Sequence, residues 1–358
     1  LGIEVLYYPP AHKPKKPDAV WLKKFKQLLR FGRVALFCLR RGVTNNLPPL
    51  SVYYLQVFRN ASIKLNLQDY DLVQIEHTYL LPIAELLSTS AHCPPIVVTA
   101  HNVEAIQAYR TAKLFRGINR FFEWMIARLT RRMEGKLVSK ASMVLTMSNY
   151  DAQWFMENYG LQQDSVAVIP SGVDMGYFSE IKSSPEPNLL VFTGTFGHLP
   201  NMDAVMWFRR NVLPRIVQEH PGVRFLAAGS SRLASVQIQT LTEGPNESYD
   251  FDVADIRPYI QRAAVYVVPL RAGSGTRLKI LEAMACGRAV VSTRIGAEGL
   301  DVPDGEAILL ADSVDDFVRS VSLLLKNPDI ALRLGAKARN WVNQNCNWIS
   351  IADHQENI

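Results

Sequence analysis

Short runs rich in β-branched and other apolar residues alternate along this chain with longer segments in which apolar positions recur every three to four residues. Runs such as 266–270 and 289–293 are typical of strands buried in a parallel sheet. The intervening segments have the spacing of amphipathic helices. This alternation of strand, turn and helix predicts an α/β fold built on parallel sheets.

One stretch, residues 264–300, carries most of the recognisable chemistry. It is predicted to form a strand, a glycine loop at 272–276, a helix at 277–286, a turn and a second strand. A glycine loop that opens a helix leaves backbone N–H groups free beside the positive end of the helix dipole. The stretch therefore predicts a phosphate-binding site.

The first turns of this helix add two cations and a carboxylate. Arg277 and Lys279 oppose the helix dipole, so a bound anion is the expected compensation. Glu282 lies one turn further along, where it could accept hydrogen bonds from a ribose diol. Together these groups suit a nucleotide diphosphate. Spacing alone leaves open a solvated helix face with a Lys–Glu pair behind a flexible loop.

The segment GTRLKILEAMACGRAVVSTRIGAEGL, residues 275–300, resembles the donor-binding segment of the retaining family 4 glycosyltransferases, which have the GT-B fold. The resemblance implies two Rossmann-like, doubly wound domains and a nucleotide-diphosphate sugar as co-substrate, with no cofactor and no metal. It assigns the ribose-binding carboxylate to Glu282. The family usually has a second, sugar-facing glutamate eight positions earlier, and this chain has Ser274 there.

A chain of 358 residues exceeds the usual size of a single core, which favours two domains. The segment VAVIPSGVD at 166–174 resembles the linker of the family. We therefore expect an acceptor-binding domain at 1–172, a donor-binding domain at 173–345, and at 346–358 the start of a helix that crosses back. The chain begins inside the pattern of the family's second strand, so the first strand, loop and helix are expected to be missing.

A second glycine-containing turn, at 194–197, follows the strand predicted at 189–193. Small residues there would let a diphosphate approach the backbone, although a tight strand-to-helix connection is the alternative. Relatives often carry an arginine and a lysine in this turn. Both are absent here, so their role is assigned to Arg277 and Lys279. The predicted donor-binding residues are Gly194, Thr195, Gly273, Ser274, Gly275, Thr276, Arg277, Lys279 and Glu282.

Two histidines follow predicted strands, at the sheet edge where doubly wound folds bind ligands. His101, in the segment VVTAHNVE, is similar to the histidine on the acceptor side of the family's cleft, whereas His77 has no such match. Each could instead cap the helix that follows it. We place His77, His101 and Asn102 on the acceptor side. The predicted catalytic residues are His101, Arg277 and Lys279.

The net charge of +6 is concentrated in the N-terminal half, which suggests an anionic partner such as a membrane leaflet or a lipid-linked acceptor. The chain has no basic motif with interleaved aromatic residues, which would indicate nucleic-acid binding. The long basic segment 114–140 contains Phe121, Phe122, Trp124 and Met125. It could lie on a membrane surface, but we expect its aromatic stripe to be core and its basic face to be exposed.

The four cysteines are widely spaced and form no CxxC pair, which fits a reducing compartment and gives no metal or disulfide framework. No apolar run approaches the roughly 18–20 residues of a membrane span. The expected location is the cytoplasm, with the inner face of the plasma membrane as the place of any peripheral contact.

The function predicted from these features is transfer of a sugar, with retention, from a nucleotide-diphosphate sugar to a glycan, lipid-linked or other hydroxyl acceptor. Bacterial surface polysaccharide biosynthesis is the expected setting. Two alternatives remain, a sugar-nucleotide epimerase of GT-B fold and an inactive nucleotide-sugar-binding fragment. No GxGxxG opens a strand, which argues against a hydride-transfer enzyme.

Overall fold

The computed structural model describes residues 70–80, 93–179, 184–231, 241 and 243–355. The sequence also predicts a strand at 3–8 and helices at 19–41 and 52–67, and these lie outside the described residues. The described chain forms two separate parallel sheets with helices between their strands. The α/β fold class predicted from the sequence is thereby confirmed.

The first sheet has the strand order β1-β2-β3-β4, all parallel. Its strands are β1 (Val73–Glu76), β2 (Ile96–Ala100), β3 (Met143–Thr146) and β4 (Val166–Val168). The helices between them are α1 (Glu104–Ala112), α2 (Gly117–Val138) and α3 (Asn149–Tyr159). Val98 and Phe155 are fully buried in the core between sheet and helices.

Helix α3 begins where the sequence predicts. The Oγ of Ser148 accepts a hydrogen bond of 3.1 Å from the backbone N–H of Asp151, which satisfies one of the free donors of the first turn. Gly160, at a φ of 68°, ends the helix in the left-handed conformation that favours glycine. Both ends of α3 are therefore defined by local residues, the start by Ser148 and the end by Gly160.

Helix α2 differs from the expectation for its aromatic stripe. Phe121 is 54% exposed and Trp124 is 44% exposed, and Phe122 and Met125 are exposed as well. The buried residues of α2 begin only at Ala127. The first turns of the helix therefore extend past the residues that pack on the sheet, and the expectation that this stripe is core was wrong.

The second sheet has the order β10-β9-β8-β5-β6-β7, again all parallel. Its strands are β5 (Leu189–Thr195), β6 (Arg224–Ser230), β7 (Glu247–Phe251), β8 (Val265–Val268), β9 (Val290–Ser292) and β10 (Leu309–Leu310). The chain runs outward from β5 to β7 and then returns to start again at β8. The strand order thus reverses between β5 and β8, and ligands bind at such a switch point, beyond the carboxyl ends of the strands.

The second half of the described chain also contributes the helices that follow α3. They are α4 (Met175–Ser179), α5 (Leu199–Trp207), α6 (Leu213–Glu219), α7 (Arg257–Arg262), α8 (Leu278–Ala285), α9 (Val314–Lys326), α10 (Pro328–Asn345) and α11 (Trp348–Gln355). Gly287, at a φ of 68°, follows α8 as the sequence predicts. By the criterion of length and hydropathy, no helix in the described part of the chain could cross a membrane.

The sequence predicts a helix over residues 204–217, but the helix observed there starts earlier and is interrupted. His198 is the N-cap of α5, and Pro200 lies in its first turn, where the missing N–H costs nothing. A π-helical turn, Phe208–Val212, separates α5 from α6. Pro214 cannot donate to the carbonyl four residues back, and this accounts for the break. Asn201 and Asp203, the two alternatives predicted for the cap, both lie inside α5.

The segment after α10 returns to the first sheet. The backbone N–H of Val173 donates to the carbonyl of Cys346 over 2.8 Å. Trp348 lies against Gly172, where a Cβ would come within 2.6 Å of its ring. Ile351 of α11 is buried against Leu145 and Ile169 of the first half. The chain therefore connects the two halves both at 169–173 and through α11.

Candidate active site

A cavity of about 650 Å³ opens at the switch point of the second sheet. Its walls come from the carboxyl end of β5, the first turn of α5, the loop 272–277 and the first turns of α8. Tyr177, Phe178 and residues 253–256 close its other end. Seven of the predicted donor-binding residues line it: Gly194, Thr195, Gly273, Thr276, Arg277, Lys279 and Glu282.

Lys279 projects into the cavity at the end of β5. Its Nζ donates to the Oδ1 of Asn201 over 2.9 Å and lies 4.2 Å from the ring centroid of Phe192. Burial lowers the pKa of Lys279 to about 7, with Arg277 as the next cause and Glu282 acting against both. A bound anion would favour the charged form of this amine.

The turn after β5 is shaped around that ammonium group. A Cβ at Gly194 would lie 2.9 Å from the Nζ of Lys279 and 2.9 Å from the Nδ2 of Asn201. The amide of Asn201 is in turn oriented by donating to the carbonyl of Thr195 over 2.9 Å. Glycine at 194 therefore keeps bare backbone next to a buried cation, as close approach of a phosphate requires.

Arg277 is the N-cap of α8 and faces the same cavity. Its Nη1 donates to the carbonyls of Ser274 and Gly275, whereas its Nη2 is buried and has no hydrogen-bond partner among the described residues. Burial lowers the pKa of Arg277 to about 10, so it stays charged at neutral pH. A buried guanidinium donor left unpaired in a cavity wall indicates a ligand that accepts from it.

Glu282 lies one helical turn beyond Lys279 and also lines the cavity. Burial raises the pKa of its carboxyl group, and the nearby ammonium of Lys279 acts against that effect. The cavity thus presents two cations near the loop and one carboxylate deeper along α8. This is the arrangement that a diphosphate and an adjoining ribose diol require.

The far end of the cavity is aromatic and partly polar. The guanidinium of Arg257 lies 3.6 Å from the ring centroid of Tyr177 and pairs with the carboxylate of Asp255 at 2.7 Å. Phe251 packs edge-on against Phe196, with ring centroids 5.1 Å apart, at the margin of the core. Phe251 therefore has a packing role.

Ser274 and Gly275 do not line the cavity. The Oγ of Ser274 accepts a hydrogen bond of 3.3 Å from the backbone N–H of Val103, on the first half of the molecule. A Cβ at Gly275 would lie 2.4 Å from the carbonyl oxygen of His101. These two residues lie where the glycine loop touches the β2–α1 segment of the other half.

His77 and His101 lie side by side at the carboxyl ends of β1 and β2, with ring centroids 4.3 Å apart. The Nε2 of His101 is 2.6 Å from the Oε2 of Glu76. The other oxygen of Glu76 accepts from Thr99 Oγ1 at 3.1 Å and from Gln74 Nε2 at 2.8 Å. These contacts, above all the one with His101, lower the pKa of Glu76, which therefore orients the imidazole as a carboxylate.

His77 has a strained backbone, with a φ of 74°. Its ring stacks on Tyr79, and its buried Nδ1 finds no hydrogen-bond partner within the described ranges. Burial, and then the neighbouring His101, lower its pKa. Neither histidine is the N-cap of α1, which is Val103. Asn102 donates to the side chain of Gln107 over 2.7 Å, beside this cluster.

A fully buried carboxylate, Glu134 of α2, holds both histidine segments in place. It accepts from Thr78 Oγ1 at 2.9 Å, from the backbone N–H groups of Glu104 and Ala105 at 2.9 and 3.1 Å, and from Tyr159 Oη at 2.9 Å. Sequence reasoning missed both Glu134 and Glu76. The only available signal for Glu134 is a carboxylate on the apolar side of a helix.

Comparison with known families finds two matches that together span most of the chain. A family model described as "Glycosyltransferase Family 4" matches residues 1–177. A second one, described as "Glycosyl transferases group 1", matches residues 187–327. The gap between them coincides with the connection between the two sheets.

The chain is similar to the D-inositol 3-phosphate glycosyltransferase of Segniliparus rotundus, with 25% identity over 283 residues, which is 72% of this chain and 59% of that protein. An uncharacterised 44.6 kDa protein in the cps region of Klebsiella pneumoniae is 21% identical over 307 residues, 80% of this chain and 73% of that one. The chain thus spans about three fifths to three quarters of the length of these relatives.

Among solved structures, Anabaena HepE in complex with UDP and glucose superimposes with a TM-score of 0.61 and 16% sequence identity. The superposition covers 87% of this chain and 80% of HepE. This similarity establishes the two-domain arrangement of the fold.

Proposed function

The chain belongs to glycosyltransferase family 4, with the GT-B fold, and we propose that it transfers a sugar from a nucleotide-diphosphate sugar to a hydroxyl acceptor with retention. The observation that carries this proposal is the cavity at the switch point. There the unpaired Nη2 of Arg277, the Nζ of Lys279 and the carboxylate of Glu282 line one wall. No other group of the cavity wall has this combination of charge and burial.

In the proposed complex the diphosphate lies against the glycine loop, between Arg277 and Lys279. Negative charge grows on the diphosphate as it leaves the sugar, so cations already fixed there stabilise the transition state more than the ground state. Glu282 accepts hydrogen bonds from the ribose hydroxyls. The base extends toward Tyr177 and residues 253–256.

Retention follows in this proposal from attack of the acceptor hydroxyl on the same face that the diphosphate leaves. His101, held by Glu76, orients the acceptor or the sugar at the edge of the first sheet. Two fixed cations supply the positive charge that a divalent ion supplies in other transferases, so the proposed reaction is metal-independent. The described residues contain no group of three potential metal-ligating side chains.

The substrates are proposed from the relatives. HepE was crystallised with UDP and glucose, which supports a nucleotide-sugar donor of this type. The Segniliparus relative is named for an inositol phosphate, and the Klebsiella relative for its cps region. We retain a glycan or lipid-linked acceptor and surface polysaccharide assembly as the proposed acceptor and setting.

The test of the donor site is a thermal-shift screen of UDP-, GDP- and ADP-sugars. At least one is expected to raise the melting temperature, and Glu282→Ala is expected to abolish that rise because the ribose loses its acceptor. Glu306→Ala, at an exposed carboxylate outside the cavity, serves as the matched control and should keep the full shift. An unchanged shift in Glu282→Ala would show that the donor binds elsewhere.

The reaction itself is tested with the stabilising donor and NMR detection of the anomeric centre. Transfer or slow hydrolysis with retained configuration supports the proposal. Formation of an epimerised sugar from the donor alone would instead identify an epimerase. If the protein turns over no donor, even with the acceptor of a related transferase present, an inactive nucleotide-sugar-binding protein is favoured.

We also propose that helix α2 makes a peripheral contact with an anionic membrane, at the inner face of the plasma membrane. Its exposed apolar residues lie beside exposed cations of the same helix, which is the composition of an interfacial helix. The exposed cations on or next to α2 are Arg116, Arg120, Arg128, Arg131, Arg132 and Lys136. Charge complementarity makes an anionic lipid surface the partner.

This contact predicts co-sedimentation of the protein with vesicles that contain phosphatidylglycerol, and weaker sedimentation with pure phosphatidylcholine. Replacing both Phe121 and Trp124 by serine should reduce the bound fraction at least severalfold, because serine has far less apolar surface to bury in the membrane. Leu332→Ser removes an exposed apolar residue of α10 and should leave binding unchanged. Equal binding of the double variant and the wild type would rule out α2 as the contact.

A further inference from the structure

Several contacts between the two halves of the molecule converge on the glycine loop. Arg110 of α1 belongs to the first half, and its Nη1 donates to the carbonyl of Gly273 over 3.0 Å. The same guanidinium makes a bidentate pair with Glu298, which follows β9 in the second half, at 2.6 and 2.7 Å. The side chains of Arg110 and Glu298 are only 19% and 14% exposed.

This pair differs from an ordinary surface ion pair. Two parallel N–H···O bonds fix the orientation of the guanidinium as well as its distance, and partial burial reduces screening by salt. Exposed single pairs contribute little, so the geometry and the burial are what make this one informative. Arg110 is thereby held where it also reaches the loop.

The carbonyl that Arg110 holds belongs to a residue of the cavity wall. Gly273 has a φ of 110°, which glycine tolerates, and a Cβ there would lie 2.7 Å from the unpaired Nη2 of Arg277. The peptide at 273 therefore covers the guanidinium that faces the cavity. A rotation of this peptide would change where Arg277 points.

The residues on either side of this contact are held from the first half as well. Ser274 accepts from Val103, Gly275 lies against His101, and Thr276 Oγ1 donates to the carbonyl of Met147 at 3.4 Å. Four consecutive loop residues therefore touch the other half of the molecule. Of these contacts, only that of Arg110 involves a charged side chain.

We propose that Arg110 is a positioning residue that couples closure of the two halves to the arrangement of the phosphate-binding loop. The proposal rests on the donor site proposed above. Closing the halves brings Arg110 onto Gly273 and Glu298, and the ordered loop then presents Arg277 to the diphosphate. By reciprocity, a bound donor favours the closed arrangement.

The test compares Arg110→Ala, Glu298→Ala, Glu298→Gln and the double alanine variant with the wild type. Arg215→Ala is the matched control, because it removes an arginine–aspartate pair that lies within the second half and is exposed. Small-angle X-ray scattering of the ligand-free proteins measures the opening of the halves. Isothermal titration calorimetry with UDP-glucose measures donor affinity, and thermal unfolding followed by circular dichroism gives the melting temperature.

Arg110→Ala and Glu298→Ala are each expected to increase the radius of gyration and to raise the Kd for UDP-glucose about tenfold, with a melting temperature near that of the wild type. The double variant should be no worse than either single one, because the two side chains act as one unit. Glu298→Gln keeps the shape of the side chain and removes its charge, so it tests the ion pair even if an alanine variant fails to fold.

Two results separate the failure of this inference from failure of the donor site. If all variants keep the wild-type radius of gyration and affinity, Arg110 does not couple closure to the loop and the inference is overturned. If the wild type binds none of the nucleotide sugars while Arg110→Ala still opens the molecule, the closure role stands and its link to a donor is overturned.

Discussion

Replacing Arg277 by alanine is expected to lower the kcat of sugar transfer by about a thousandfold, the upper range for loss of one charge-stabilising donor. The reason is geometric. Its Nη2 is buried in the cavity wall without a hydrogen-bond partner in the described structure, so it is free to donate to the diphosphate oxygens as they gain charge. Alanine removes that donor and also releases the carbonyls of Ser274 and Gly275.

The matched control for this prediction is Arg271→Ala. Arg271 is six residues earlier on the same connection, but its guanidinium pairs with Asp203 at 2.6 Å and does not line the cavity. Its removal should change kcat by less than about threefold, since exposed pairs contribute little. Arg277→Lys should recover part of the rate if charge is what matters. Equal losses in Arg277→Ala and Arg271→Ala would contradict the phosphate role.

Donor affinity is expected to fall as the pH rises above about 7, and Lys279 is the cause. Burial holds the pKa of the free Lys279 near that value, and an anionic donor stabilises its charged form. The pKa of Lys279 is therefore lower in the donor-free protein than in the donor-bound protein. Affinity is fully present below about pH 7 and is lost, by up to about tenfold per pH unit, until the bound pKa is reached.

The other titratable groups near Lys279 change their protonation state in a different pH range, or change donor affinity in the opposite direction. Burial and the two cations lower the pKa of His198, so it is neutral at pH 7. Arg277, with a pKa of about 10, stays charged across the tested range. Burial raises the pKa of Glu282, and loss of its proton as the pH rises gives the ribose hydroxyls a charged acceptor, so its titration acts in the opposite direction to that of Lys279. The loss between pH 7 and 9 is therefore assigned to Lys279.

The measurement is isothermal titration of an intact nucleotide sugar from pH 6 to 9. An intact donor is chosen because it lacks the terminal phosphate monoester of a free diphosphate, which titrates near pH 6. Lys279→Met should bind about a hundredfold more weakly at pH 6.5 and show no slope above pH 7. Lys326→Met, at an exposed lysine of α9, should behave as the wild type. A slope that persists in Lys279→Met would assign the titration to another group.

Local pattern predicted the elements around the donor cavity because each signal lies within a few residues. The strand before 272–276, the helix after it and the glycine that ends that helix are all where the sequence places them. Helix α5 starts five residues before its predicted start at 204, because Pro200 is tolerated in the first turn of a helix. The apolar face of α2 was assigned to the core because its spacing does not show where the sheet ends.

The partners that cross the molecule were beyond the reach of the sequence. Glu76 and His101 are 25 positions apart, and Arg110 and Glu298 are 188 apart. Only the parallel register of β1 on β2 and the approach of the two halves bring these groups together. Ser274 illustrates the same limit, since its position in the loop is local but its turn toward Val103 depends on the other half.

A crystal structure with a bound nucleotide sugar tests the central claim most directly. The account predicts diphosphate oxygens within hydrogen-bond distance of the Nη2 of Arg277 and the Nζ of Lys279, with the ribose hydroxyls on Glu282. A nucleotide bound away from the cavity between the end of β5 and the start of α8, with those three side chains left without contact to it, would contradict the account.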